Sequence, residues 1–406
     1  MKGKIQKIFG REVIEQKAID QLEICLSEEG SIGVLSADAH AGYSLCVGGT
    51  VAYLNHISPS GVGYDIACGN LAVKTDIKFD NIRNDMKTIM NDVVNAISFG
   101  VGRKNGTKVD DPIIERIAKS EFAPQQTLAK LAAEQLGTVG SGNHYVDIFT
   151  DDEGSIWIGC HFGSRGFGHK TASGFLALDQ GEDFFGKHKE KSEPTLFSLD
   201  SQIGQDYLYA MNLAGDYAYA GRNWVVKKVR ELLGAKSLFE VHNHHNFAWM
   251  EKHNNTTYCV IRKGATPANP GQYGFIGANM MDTSVIVRGL ESQESRDGLY
   301  TTVHGAGRVM SRTQAAGKMK WLRDEVTGKK RPTRVTKGLV DFDKTMAEMA
   351  KKKIELRGAG ADEAPDCYKK LNEILEYHHG TIEVLHNLYP IGVAMAGAGE
   401  FDPYKD

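Results

Sequence analysis

The 406-residue chain has no long apolar run, so nothing in it reads as a membrane-spanning helix. Its opening stretch, MKGKIQKIFGREVIE, lacks the apolar centre of a secretory signal, and a cytoplasmic protein is expected. Six cysteines stand at irregular spacing with no CxxC pair, which argues against a disulfide framework. There is no excess of positive charge: 48 Lys and Arg face 51 Asp and Glu, for a net charge of −3. A protein that coats nucleic acid by bulk charge is therefore excluded, while a local basic groove is not. No GxGxxG opens a helix after a strand and no GxxxxGK[ST] occurs, so the common nucleotide-binding loops find no support. Internal repeats and proline- or serine-rich linkers are also missing, and residues 1–406 are expected to form one domain.

What the chain has in quantity is glycine, 45 residues, many of them beside histidines. Glycine in such clusters marks tight turns or places where backbone must approach a ligand. Apolar residues recur at the helical period over 80–99, 125–136, 207–233 and 368–377. Short β-branched and aromatic runs bounded by glycine predict strands at 47–53, 145–149, 155–158, 258–261 and 284–287. Helices and strands mix without a regular βαβ alternation, and the expected class is α+β. Glycine, histidine and asparagine concentrate at 38–42, 58–69, 137–144, 161–169, 242–246, 262–271 and 304–312. A fold that gathers these segments makes one polar cleft out of many loops.

GVGYDIACG places Asp65 and Cys68 three residues apart, close enough to serve one site. Imidazoles to complete a metal sphere are His144 in GSGNH, His161 in HFGSRGFGH, and a histidine of HNHHN, with His245 favoured. Mixed Cys, Asp and His ligation suits Zn, Mn or Fe, and a bridging thiolate can hold two ions. Taken singly, a buried cysteine is an ordinary small hydrophobe and a lone histidine is usually structural. Three histidines within four positions, in a chain with these other groups, are hard to explain as packing.

HGAGRVMSR sets His304, two glycines, Arg308 and Arg312 within nine residues. Glycine lets the backbone N–H groups of Gly305, Ala306 and Gly307 converge on an anion, and arginine gives bidentate phosphate contacts. Arg165 in GSR and Lys263 in RKGAT repeat that chemistry. The imidazole there has three possible roles: metal ligand, general base, or nucleophile. Residues 318–337 hold eight Lys or Arg against Asp324 and Glu325, a solvated face or a wall for an RNA backbone.

These motifs, with DAHAGY, GGTVA, SPSGVGYDIACGN, GTVGSGNHYVDI, GQDYLYAMNLA, HHN, GQYG and APDCYK, resemble the RtcB-type RNA-splicing ligases and stand in the same order. The resemblance runs from about Asp38 to beyond Tyr368. It implies a GTP- and Mn²⁺-dependent enzyme joining RNA with a 3′-phosphate or 2′,3′-cyclic phosphate to RNA with a 5′-hydroxyl. By the same resemblance Cys68 bridges two Mn²⁺ ions, with His161 and His245 completing one site and Asp65 and His144 the other. His304 takes GMP. Asn143, Asn246, Arg165, Lys263 and Arg308 hold nucleotide or RNA phosphates, and Tyr368 lies against the guanine.

Three departures from the family's pattern fall near the base. Asp147 stands where Glu is common, residues 277–281 read GANMM with Asn279 facing the nucleotide, and the C-terminal Lys-Gly is replaced by Ala396-Gly397 followed by further residues. They imply retained chemistry with altered guanine selectivity. A competing expectation is a metal-dependent cyclic phosphodiesterase that opens RNA ends without sealing them. It needs the metal cluster and not His304. A non-catalytic RNA-binding scaffold is the other, and it has no use for two ions.

Overall fold

Full burial on both faces explains why the strand Ser155–Phe162, SIWIGCHF, is apolar almost throughout. It lies at the middle of a mixed sheet in a computed structural model that describes residues 3–323, 328 and 330–398. Along that sheet the strands run Tyr273–Ile276, Ser284–Gly289, Ile382–Gly397, Tyr145–Thr150, Ser155–Phe162, Gly69–Lys78 and Ser237–His244. Glu355–Ala359 pairs in parallel with the 16-residue strand Ile382–Gly397. The two ends of the path meet. Asn70 Nδ2 donates to the Phe275 carbonyl at 2.8 Å, and the Phe275 N–H donates to Asn243 Oδ1 at 3.1 Å. The sheet is therefore barrel-like, nearly closed by side chains rather than by a backbone ladder.

A second sheet orders Lys4–Ile8, Ile32–His40, Val47–Tyr53, Thr256–Lys263 and Asn246–His253. Both sheets rest on one long helix, Gln202–Leu233. Ser201 Oγ caps its start by accepting from the Gly204 N–H at 3.2 Å, and Gly234 ends it in the left-handed region at φ 64°. Its Tyr207, Met211, Ala214 and Tyr217 pack into the larger apolar cluster. Its Val225, Val226 and Val229 reach a second cluster with Leu71, Val73 and Ile158. The architecture is mixed α/β, as the intermingled patterns imply.

Several boundaries differ from the sequence expectation. The helix over 80–99 is two, Phe79–Ile82 and Met86–Ala96, parted where Asn84 and Asp85 weaken the helix. That over 125–136 is also two, Ala123–Gln126 and Ala129–Gln135. Over 368–377 only Leu371–Leu375 is α-helical, because the chain before it pairs with HGAGR instead. The Lys369 N–H donates to the Gly307 carbonyl at 2.9 Å, and Arg308 bridges to Tyr368. The five expected strands are present, Val47–Tyr53 with the expected ends and the others one to four residues longer. The basic segment 318–337 forms an antiparallel pair, Met319–Arg323 with Lys330–Arg334, and residues 324–327 and 329 lie outside the described residues. So does the tail after Ala398.

Arg262, read from sequence within a phosphate-handling segment, is instead a structural ion-pair residue. Its guanidinium is fully buried, donating to Glu251 Oε1 at 2.6 Å and Oε2 at 3.0 Å, to Thr301 Oγ1 at 2.8 Å and to the Leu299 carbonyl at 2.8 Å. Burial raises the Glu251 pKa, but Arg262 and His253 outweigh it and hold the carboxyl down at about 2. The stability this pair gives is complete above the ordinary carboxyl value of 4.5 and is lost as pH falls toward 2. Glu251→Gln leaves a buried guanidinium without its anion and costs about 3 kcal/mol at pH 7 in urea unfolding. An unchanged unfolding midpoint contradicts this.

Candidate metal and nucleophile site

Strand register brings four ligand-bearing segments to one end of the sheet. Gly69, directly after Cys68, pairs with Phe162 on one side and with His244 on the other. Tyr145, directly after His144, pairs with His161. Cys68, His144, His161 and His245 thus stand at or beside the ends of neighbouring strands. The site is built mostly from loops, as the sequence implies: Asp65, Cys68, His144 and His245 stand in connections beside strand ends, and only His161 lies within a strand, while HNHHN runs from the end of the strand Ser237–His244 through His245 into the strand Asn246–His253.

The donor atoms of Cys68, His161 and His245 lie within 4.8 Å of one another, and so do those of Asp65, Cys68 and His144. Cys68 belongs to both groups. Its Sγ is 3.5 Å from His161 Nε2 and 3.6 Å from His144 Nε2, while His144 Nε2 is 3.1 Å from Asp65 Oδ2. Burial drives the pKa of His161 and His245 well below 6.5, which favours the neutral rings. Burial raises the Asp65 carboxyl, but its bond to His144 and the nearby Arg165 bring it down to about 2. His245 Nδ1 is buried with no hydrogen-bond partner. A carboxylate, a thiol and three imidazoles, one with an orphaned nitrogen, fit a divalent cation. Asn70 Oδ1 holds His161 Nδ1 at 2.6 Å, which fixes the ring's tautomer and leaves Nε2 toward Cys68.

The His304 ring lies 5.0 Å from that of His245. Asp38, fully buried, accepts from His304 Nδ1 at 2.6 Å and from the backbone N–H of His304 at 3.0 Å and Gly305 at 3.3 Å, all through Oδ2. Burial raises the Asp38 carboxyl, and the His304 ring and N–H more than offset this, leaving it below its usual range. In a neutral imidazole, a carboxylate at Nδ1 holds the proton there and leaves the lone pair on Nε2. Gly307 makes the turn possible: at φ 78°, a Cβ there would sit 2.3 Å from the Asp38 carbonyl. Sequence reasoning assigned no role to Asp38 or Asn70. Asn70, two residues beyond Cys68 at the strand period, was findable; Asp38, 266 residues from His304, was not.

Both clusters line a cleft of about 860 Å³. Asn143, Asp147, Asn246, Lys263, Asn279, Gly305, Ala306, Gly307, Arg308 and Tyr368 line it too, and Arg165 lies outside its wall. Arg165 NH1 is 3.4 Å from His144 Nδ1, on the opposite side of that ring from the Nε2 that faces Cys68 and Asp65. Asn246 ties Asp65 to Gly264, its Oδ1 accepting from the Gly264 N–H at 2.7 Å. Lys263 donates to the carbonyls of Tyr43 and Leu45, and burial pushes its pKa down to about 8. Asn279 closes a local turn with Met281 and Asp282. Arg308 stacks over the Tyr368 ring at 5.0 Å and donates to Tyr368 Oη, Glu363 and the Asp362 carbonyl. Glu363, also unassigned from sequence, accepts in addition from Arg312 Nε at 2.8 Å.

Asp147 differs from the rest. It is buried, its Oδ1 has no hydrogen-bond partner, and burial raises its pKa well above 3.8. A carboxyl raised on folding weakens stability as pH climbs from 3.8 toward its folded value. Asp147→Asn is therefore more stable than the parent by about 1–3 kcal/mol at pH 8, with a smaller gain at pH 5. Urea unfolding at both values checks this, and a gain that does not grow with pH contradicts it.

A family model described as tRNA-splicing ligase RtcB matches residues 30–123 and 115–396. The chain belongs to the RtcB family. It is 26% identical to the tRNA-splicing ligase RtcB of Archaeoglobus fulgidus, covering 94% of this chain and 92% of that protein. With the tRNA-splicing ligase RtcB of Thermococcus kodakarensis it shares 27% identity, over 89% and 87% of the two chains. With the RNA-splicing ligase RtcB of Escherichia coli K12 the identity is 28%, over 86% of each. The RtcB match spans every candidate ligand named above as well as Asp38, His304 and Tyr368.

Proposed function

We propose that this RtcB-family chain is an RNA ligase, acting in the cytoplasm as one domain over 1–406, that joins 3′-phosphate or 2′,3′-cyclic phosphate ends to 5′-hydroxyl ends in RNA repair or tRNA splicing. The observation that carries the reading is His304, held through Nδ1 by buried Asp38, with its ring 5.0 Å from the His245 ring of the ligand cluster. Cys68, His161 and His245 would hold one Mn²⁺ ion and Asp65, Cys68 and His144 the other. Bound there, the two ions would offset phosphate charge during attack and departure.

His304 Nε2 attacks the α-phosphorus of GTP, forming an N–P bond as the bond to the β-phosphate oxygen breaks and pyrophosphate leaves. Asp38 holds the Nδ1 proton and steadies the positive charge that develops on the ring. An oxygen of the RNA 3′-phosphate then displaces His304 from the GMP phosphorus, giving an anhydride. The RNA 5′-hydroxyl attacks the 3′-phosphorus and GMP departs. A cyclic end first takes up water and opens to the 3′-phosphate. Asn143, Asn246, Arg165, Lys263 and Arg308 serve the phosphates, the last three through their charge and the frame they brace. The base lies among Tyr368, Asp147 and Asn279, where a shorter carboxylate alters guanine selectivity.

The test is to incubate the protein with Mn²⁺ and α-labelled GTP, denature it and recover the chain. Label that survives base and is lost in acid identifies the phosphoramidate, and ATP run alongside reads the selectivity. Absence of label from either nucleotide on metal-loaded protein would overturn the ligase reading in favour of a phosphodiesterase.

A further inference from the structure

Arg222, on the helix Gln202–Leu233, is fully buried, and no carboxylate pairs with it among the described residues. Burying a cation without an anion is unfavourable, so its presence calls for a role other than stability. Its hydrogen bonds supply one. NH1 donates to the carbonyls of Ala67 at 3.0 Å and Phe162 at 2.6 Å, NH2 lies 3.0 Å from His244 Nδ1, and Nε donates to His242 Nε2 at 2.8 Å. Ala67 precedes Cys68, Phe162 follows His161, and His244 precedes His245. One planar guanidinium thus ties together the neighbours of all three members of the Cys68–His161–His245 group. Tyr219 supports it from the side, its ring 5.3 Å from the guanidinium and 4.0 Å from the His244 ring.

We infer that Arg222 is a positioning residue that sets the spacing of Cys68, His161 and His245, and hence the affinity of one of the two metal sites. The inference rests on the metal-centre reading above. A planar fork reaches several acceptors at fixed angles and a lysine ammonium does not, so Arg222→Lys keeps the charge and loses the geometry. The Asp65–Cys68–His144 group has only Cys68 in common with the braced set, one ligand against three, so its ion is weakened less.

Cobalt(II) titration of the full chain, read by thiolate-to-cobalt absorption and by bound metal after dialysis, tests this without any turnover. Wild type is expected to bind two ions. Arg222→Lys is expected to bind one of them about 10–100-fold more weakly, with far-UV circular dichroism unchanged. Arg222→Lys with both affinities and the absorption intact overturns the inference, as does equal weakening of both sites. Where Arg222→Lys does not fold, His242→Gln, which removes one acceptor of the fork, is read in the same way. A several-fold loss at one site supports the inference, and unchanged binding overturns it. Wild type that binds no cobalt instead removes the metal-centre reading itself.

Discussion

His304→Ala abolishes transfer of label from α-labelled GTP to the chain, a loss of at least about 10⁴-fold, as expected when a covalent nucleophile is removed. Metal binding stays within a few-fold of the parent, because His304 belongs to neither ligand group. Asp38→Asn has a smaller effect of the same kind, about 10²–10⁴-fold. The Asp38 carboxylate accepts from His304 Nδ1 and from two backbone N–H groups, whereas an amide can present its NH₂ to the ring and favour the wrong tautomer. The initial rate of labelling under saturating Mn²⁺ reads both variants. A His304→Ala chain that still takes label places the nucleotide on another residue and removes the proposed chemistry. Full activity in Asp38→Asn makes the short contact with His304 incidental.

Cys68→Ala carries the other large effect, since it alone is shared by both ligand groups. Both ions are expected to bind at least about 10³-fold more weakly, because a thiolate that bridges two cations contributes to each. Asp65→Ala weakens only the site it shares with His144, and His245→Ala only the site it shares with His161. Equilibrium dialysis with Mn²⁺ over a concentration series separates the three variants. If Cys68→Ala retains two tightly bound ions, the shared-ligand arrangement is wrong. The burial that now raises the Cys68 thiol, helped by Asp65 beside it, makes metal uptake release a proton, so affinity rises with pH.

Much of the site was legible in the sequence because its residue types are rarely combined. Asp65 and Cys68 with His144, His161 and His245 stood out as ligand chemistry, and the structure brings all five together. Strands such as Val47–Tyr53 were legible because β-branched and aromatic residues, Val47, Thr50, Val51 and Tyr53, concentrate there. HNHHN concealed a strand, since its polar side chains serve the site and erase the apolar alternation that marks a buried sheet. The strand Gly69–Lys78 escaped for the same reason, its first residues supplying Asn70 to His161. Asp38 and Arg222 were beyond local pattern altogether. Their partners lie at the far end of the chain, or in one turn and on two different strands, and only the fold brings them close. Arg262 shows the converse, a basic residue in a glycine-framed segment whose charge serves the core.

The most direct test of the account is sealing itself. Purified protein, Mn²⁺ and GTP are mixed with two RNA strands, one ending in a labelled 3′-phosphate and the other beginning with a 5′-hydroxyl. The account predicts a joined product that carries the labelled phosphate at the junction, where phosphatase cannot remove it, and no product from His304→Ala. Ends that are opened or trimmed but never joined, with metal bound and GTP present, would contradict it.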